Sequence, residues 1–158
     1  MYLIPKEFFT TSGKAISGVS DLNAFDLALM HAGIEEQNLV AVSSIIPPEA
    51  VEVPRCRLPM GAVTHCVLAQ MRGRGGDLIS AGIGYAYRKD GSGGYVAESH
   101  IFGGEEAVKN DLRRKIAEME KIRGIELSEP TLITETLEVP DGKYGCCLAS
   151  LVFTRYRE

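Results

Sequence analysis

The chain of 158 residues has no tryptophan, three histidines and four cysteines. That scarcity removes several common chemistries from consideration. Cys56, Cys66, Cys146 and Cys147 form no C-x-x-C pair, and His31, His65 and His100 are scattered. A zinc site is therefore not expected. Glu98 and His100 would share one face of a strand, but two groups are too few to close around a metal. So few histidines also make a Ser-His-Asp arrangement a poor starting point. The sequence lacks a G-x-S-x-G elbow, an H-E-x-x-H pair and a Walker motif, so ordinary hydrolase machinery is missing.

Long apolar runs are missing too. No stretch approaches the roughly 20 residues that a bilayer-crossing helix needs. The opening MYLIPKEFFT has no basic segment followed by an apolar run, which is the pattern of a secretory signal. The expectation is a soluble protein of the cytoplasm. Excess positive charge is also absent. The formal net charge of −4 argues against a general nucleic-acid binder, and the short basic stretch Arg72, Arg74 does not overturn that.

The remaining composition is that of a globular protein, with 45% hydrophobic and 24% charged residues. The length fits a single domain spanning residues 1–158. A first helix is predicted from Asp21 to Gly33, with Asp21 as its cap and Gly33 as a left-handed stop. Leu22, Phe25, Leu29 and Ala32 fall on one face and are expected in the core, with Asp26 at the edge of the stripe. A second helix is predicted from Glu105 to Ile122, with Val108, Leu112, Ile116 and Met119 at helical spacing. Its Glu105 and Glu106 at the start, and Lys121 and Arg123 at the end, suit the helix dipole.

Strands are predicted at 38–44, 62–70, 78–87, 95–102, 131–139 and 144–155, the last two as a pair. GRGG (73–76) and KDGSGG (89–94) read as hairpin turns, because strand-like runs follow both and neither has a phosphate-loop pattern. The pattern predicts an α+β fold of mostly antiparallel sheet layers flanked by helices, of the αββα sandwich type.

One segment is unusual: NLVAVSSIIPPEA (38–50). A β-prone run ends in two serines, and Pro47 and Pro48 then fix the backbone and remove two donors. Ile46 is pushed toward an extended shape by the proline after it. By itself this pattern is an ordinary strand end. Together with LNAFDLALMHAGI (22–34), LPMGA (58–62) and, more weakly, GYVAE (94–98), the chain resembles the pyruvoyl-dependent arginine decarboxylase family over nearly its whole length. The loop at 71–77 and the thiol pair Cys146–Cys147 are not tied to that resemblance.

The resemblance implies a precursor that breaks its own chain between Ser43 and Ser44, giving a β chain (1–43) and an α chain (44–158). Ser44 would become a covalent pyruvoyl group. Arginine would form a Schiff base with it, lose CO2 and leave as agmatine for polyamine synthesis, with neither PLP nor a metal. Asn38 is implied as a hydrogen-bond donor to the oxyanion formed during cleavage. Glu98 is implied as the proton donor, and that job requires burial to raise its pKa. Asp26 is implied to hold the substrate's guanidinium through two parallel bonds. A homotrimer with sites between subunits is implied as well. Two alternatives stay open: a pyruvoyl enzyme for another cationic amino acid, or a non-catalytic trimeric ligand-binding homologue that is never processed.

Overall fold

A strand buried on both faces needs a covering layer on each side. In the computed structural model, which describes residues 1–158, that requirement builds four layers. The elements run β1 (Pro5–Ser17), α1 (Asp21–Ala32), β2 (Asn38–Ala41), β3 (Ile45–Ile46), β4 (Val51–Glu52), β5 (Val63–Arg74), β6 (Leu78–Tyr87), β7 (Gly94–Phe102), α2 (Glu105–Arg123), β8 (Thr131–Glu138) and β9 (Tyr144–Tyr156). The first sheet has the order β2-β5-β9-β1-β4 and the second β3-β7-β6-β8. The second is antiparallel throughout. In the first, an antiparallel β5-β9-β1 centre carries a parallel strand at each edge.

β9 shows how the layers are held. Cys147, Ala149, Leu151 and Phe153 pack against the second sheet, together with Ile79, Ile83 and Val96. Their neighbours Cys146, Leu148 and Val152 face the opposite way and pack against α1. The period of two along a strand sends adjacent side chains to opposite faces. Cys146 and Cys147 are thus two buried core thiols on different faces. On the far side of the second sheet, Val108, Leu112 and Ile116 of α2 pack on Ala86 and Ala97. The order of layers is helix, sheet, sheet, helix, as the sequence predicts. No helix is long and apolar enough to cross a membrane.

The α1 boundaries match expectation, but two details differ. The cap is Ser20, whose hydroxyl accepts from the Asn23 N–H at 3.1 Å, while Asp21 is the first helical residue. Gly33 ends the helix at φ 76° as predicted. Leu22, expected in the core, is 62% exposed, and the buried face is formed by Ala24, Ala28, Leu29 and Ala32. The helix rides so close to β1 that a Cβ on Gly13 would lie 2.3 Å from the Ala28 carbonyl oxygen. Only small side chains fit that seam, so the face centres on alanines rather than on the larger Leu22. In α2, Val108, Leu112 and Ile116 are buried and Met119 is partly buried, as expected.

The turns need a second correction. KDGSGG closes a true hairpin between β6 and β7. GRGG instead links β5 in the first sheet to β6 in the second. β8 and β9 likewise do not pair, since β8 borders β6 while β9 lies between β5 and β1. A Gly-rich turn permits either course. The choice is made by which faces must be covered, and that is a tertiary property.

Candidate active site

The predicted strand at 38–44 divides. β2 ends at Ala41 as the edge of the first sheet, and β3 begins at Ile45 as the edge of the second. Val42, Ser43 and Ser44 carry the chain across the gap. Each end of this crossing is pinned: Val42 N–H donates to the Cys66 carbonyl at 2.9 Å, and Val96 N–H donates to the Ser44 carbonyl at 2.9 Å. Between them, Ile45 N–H donates to the Ser43 carbonyl at 3.1 Å. This closes a three-residue turn centred on Ser44. Only glycines have positive φ, so the turn is of the inverse γ kind. The hydrogen bond also polarises the Ser43 carbonyl toward attack.

The β6–β7 hairpin supports the downstream side. Gly93 has φ 102°, and a Cβ there would lie 2.6 Å from the Ile46 carbonyl oxygen. Glycine is required by both the conformation and the close approach.

Clefts lie on both sides of the Ser43–Ser44 bond. Ser43 lines an apolar one of about 410 Å³ with Val42, Ile45, Phe153, His65 and Tyr156. Ser44 lines another of about 300 Å³ with Val96, Glu98, Lys115, Met119 and Arg123. The structure therefore brings Ser44 and Glu98 to one cleft. Burial pushes the Glu98 carboxyl above its ordinary value, while His100 and Lys115 pull it back. The direction is the one a proton donor requires.

Residues missed in the sequence secure this arrangement. Lys115 Nζ donates to the Glu98 carbonyl at 2.7 Å and pairs with Asp111 at 2.8 Å. Asp111 also accepts from the buried Ser99 hydroxyl at 2.6 Å. Asp111 and Lys115 stand four apart on α2, which is a readable ion-pair spacing. What the spacing cannot reveal is that the pair straps α2 to β7. No group of three or more His, Cys, Asp or Glu side chains is placed to hold a metal ion.

Asn38 and Asp26 lie elsewhere in the chain. Asn38 opens β2, and its side-chain amide donates to the Gly61 carbonyl at 2.9 Å. An extended run from Asn38 to Ser43 spans about 16 Å at strand rise. Asp26 is exposed on α1, which packs on the first sheet, whereas the Ser44 cleft is lined from β7 and α2.

Comparison with known proteins matches this arrangement to one family. The model of "Pyruvoyl-dependent arginine decarboxylase" matches residues 7–158. A protein of that name from Methanopyrus kandleri is 35% identical over 150 residues, covering 95% of this chain and 97% of the relative. Another from Methanothermobacter thermautotrophicus is 38% identical over 144 residues, covering 90% and 93%. A third from Methanocaldococcus jannaschii is 36% identical over 157 residues, covering 94% and 90%. With nearly the whole length matched and the serine pair set at the crossing between sheets, this chain belongs to the pyruvoyl-dependent arginine decarboxylase family.

Proposed function

We propose that the chain is a precursor that cuts itself between Ser43 and Ser44, converts Ser44 into a pyruvoyl group and decarboxylates arginine to agmatine. The observation that carries this reading is that Ser44 and a half-buried Glu98 with raised pKa share one cleft, in a member of this family. The residues fit the group. Its source serine is the centre of a turn tethered on both sides, so the linkage is held in place for attack.

Processing begins when Ser44 Oγ attacks the Ser43 carbonyl carbon. The C–N bond breaks, the hydroxyl proton passes to the Ser44 nitrogen, and an ester replaces the amide. A base then removes the Ser44 Cα proton. The Oγ–Cβ bond breaks, and its electron pair leaves on the Ser43 carboxylate. The dehydroalanine that remains takes a proton at Cβ and becomes an imine, and water adds to the imine carbon and expels ammonia, leaving a ketone. The products are the β chain 1–43 and the α chain 44–158.

Once formed, the pyruvoyl group supplies an electron-accepting ketone that ordinary side chains lack. Glu98 holds its proton in the cleft and delivers it to the substrate α-carbon after CO2 departs. Asp26 takes the guanidinium in a bidentate grip, and Asn38 donates to the oxyanion formed at Ser43. A neighbouring copy supplies Asp26 and Asn38, as in a homotrimer with sites between subunits. Two features support such a neighbour: β2 and β3 are both sheet edges beside the crossing, and Val40, Ile45 and Val63 are exposed there. The enzyme works in the cytoplasm and feeds polyamine synthesis.

Denaturing mass spectrometry tests the proposal. The purified protein should give two fragments, the larger beginning with a keto-blocked residue at Ser44. A free amine there would refute it. Ser44→Ala should leave one intact, inactive chain. CO2 release from arginine, set beside lysine and ornithine, decides the substrate, because a carboxylate at Asp26 favours a cation without ranking these.

A further inference from the structure

The Ser44 cleft is taken up by the proposed decarboxylation, but the cleft on the Ser43 side has no part in it. Its walls are mainly apolar, from Leu3, Ile4, Val42, Ile45 and Phe153, and beyond Ser43 its polar side chains are His65 and Tyr156. These two are joined. His65 Nδ1 and the Tyr156 hydroxyl share a hydrogen bond, and the rings meet edge to face at 5.7 Å between centroids. Such a pair always retains one donor. If the hydroxyl donates to Nδ1, the Nε2–H is free; if Nδ1–H donates to the phenol oxygen, the hydroxyl hydrogen is free.

We propose that His65 and Tyr156 form a receiving site for the Ser43 carboxylate that processing creates. The inference rests on the self-cleavage described above. Elimination leaves a full negative charge at the end of the 1–43 chain. Keeping an unpartnered carboxylate against apolar walls is costly, and the spare donor of the His–Tyr pair offsets that cost. The geometry keeps the new terminus nearby. Val42 stays bonded to the Cys66 carbonyl, and Cys66 adjoins His65 on β5. Held on this side, the Ser43 carboxylate is kept out of the Ser44 cleft, where the substrate's own carboxylate must enter. It is also kept from attacking the modified residue again.

Native digestion with a carboxypeptidase tests the site, with the mass of the 1–43 fragment as readout. In the wild-type protein the Ser43 terminus should resist trimming. The double variant His65→Gln, Tyr156→Phe should still split at Ser43–Ser44 but lose terminal residues about tenfold faster, the effect of one charge-assisted hydrogen bond. If the double variant does not fold, Tyr156→Phe alone keeps the ring and removes the hydroxyl, and should accelerate trimming in the same direction. Equal trimming rates in wild type and variant overturn the site while leaving self-cleavage intact. A folded variant that stays whole also overturns it, because the pair would then act before any carboxylate exists. A wild-type protein with no 1–43 fragment overturns self-cleavage itself, and the site with it.

Discussion

Asp111→Asn should destabilise the protein by about 1–2 kcal/mol near neutral pH, and acid should erase the difference. Three groups meet at this carboxylate: the buried Ser99 hydroxyl at 2.6 Å, the Lys115 ammonium at 2.8 Å and the Arg114 guanidinium. Arg114 is 78% exposed and Lys115 42%, so solvent screens both ion pairs, while the Asp111 side chain is only 18% exposed. Each screened pair is worth at most about 1 kcal/mol, and often near zero. The Ser99 bond weakens from charge-assisted to neutral when asparagine keeps only an amide oxygen, a loss of about 1 kcal/mol.

Burial pushes the Asp111 carboxyl up, but hydrogen bonds from Lys115, Ser99 and Arg114 outweigh it and hold the group well below the usual range. The native carboxylate is therefore still ionised when the unfolded chain takes up its proton, below about pH 4. Stability from such a group is full above the unfolded value and is lost as pH falls through the folded one. The gap between wild type and variant should shrink by up to about 1.4 kcal/mol per pH unit below about pH 4. Urea unfolding of both proteins from about pH 7 to about pH 3 measures it. A gap that stays constant over that range would show that shape, not charge, holds the strap, and would refute the reasoning.

Glu98→Gln should lower CO2 release by about 10²–10⁴-fold while leaving the two-fragment pattern in place; near-wild-type turnover would remove Glu98 from the proton-donor role. Because burial raises the Glu98 pKa, its protonated form persists to higher pH than an ordinary glutamic acid. The rate should fall as pH rises through that raised value, and a kcat profile lacking this alkaline limb would contradict the assignment. Gly93→Ala places a Cβ against the Ile46 carbonyl in left-handed backbone; it should cost about 1–3 kcal/mol and slow fragment appearance, as thermal melts and timed mass spectra would show. Burial pushes Cys66 up to about 11 and Cys146 and Cys147 up to about 12, whereas Cys56 is exposed. A thiol reagent should label only Cys56 in the native protein and all four cysteines after unfolding.

The helices were legible because their signals are local. Periodic apolar residues, first-turn acids, the glycine at 33 and the basic pair at 121 and 123 lie within a few residues of one another, and both helices form where they point. The strands were legible as segments but not as partners. GRGG and KDGSGG look alike, yet one crosses between sheets and the other closes a hairpin. β1 gave no usable boundaries despite its 13 residues; its polar Thr10, Thr11, Ser12 and Lys14 blur the period-two signal, although its pairing with β9 makes it central. Leu22 was misplaced because hydrophobicity ranks leucine above alanine, whereas the close seam at Gly13 admits only the smaller side chain.

The candidate site divides along the same line. NLVAVSSIIPPEA marks a stiff segment after two serines, and that much is chemistry of the chain itself. That Val42 belongs to one sheet and Ile45 to the other follows from pairings with β5 and β7, which lie far along the sequence. The crossing matters for a bond that must break. A peptide inside a regular ladder is held on both sides by neighbours that resist its departure, and its carbonyl is turned into the sheet. Here the two ends are fixed to different sheets, and the carbonyl between them bonds only within its own turn. Breaking the linkage therefore costs neither sheet a ladder bond. The two new ends are already attached to separate layers, one beside His65 and the other beside Glu98, so cleavage can proceed without disturbing the core that positions both.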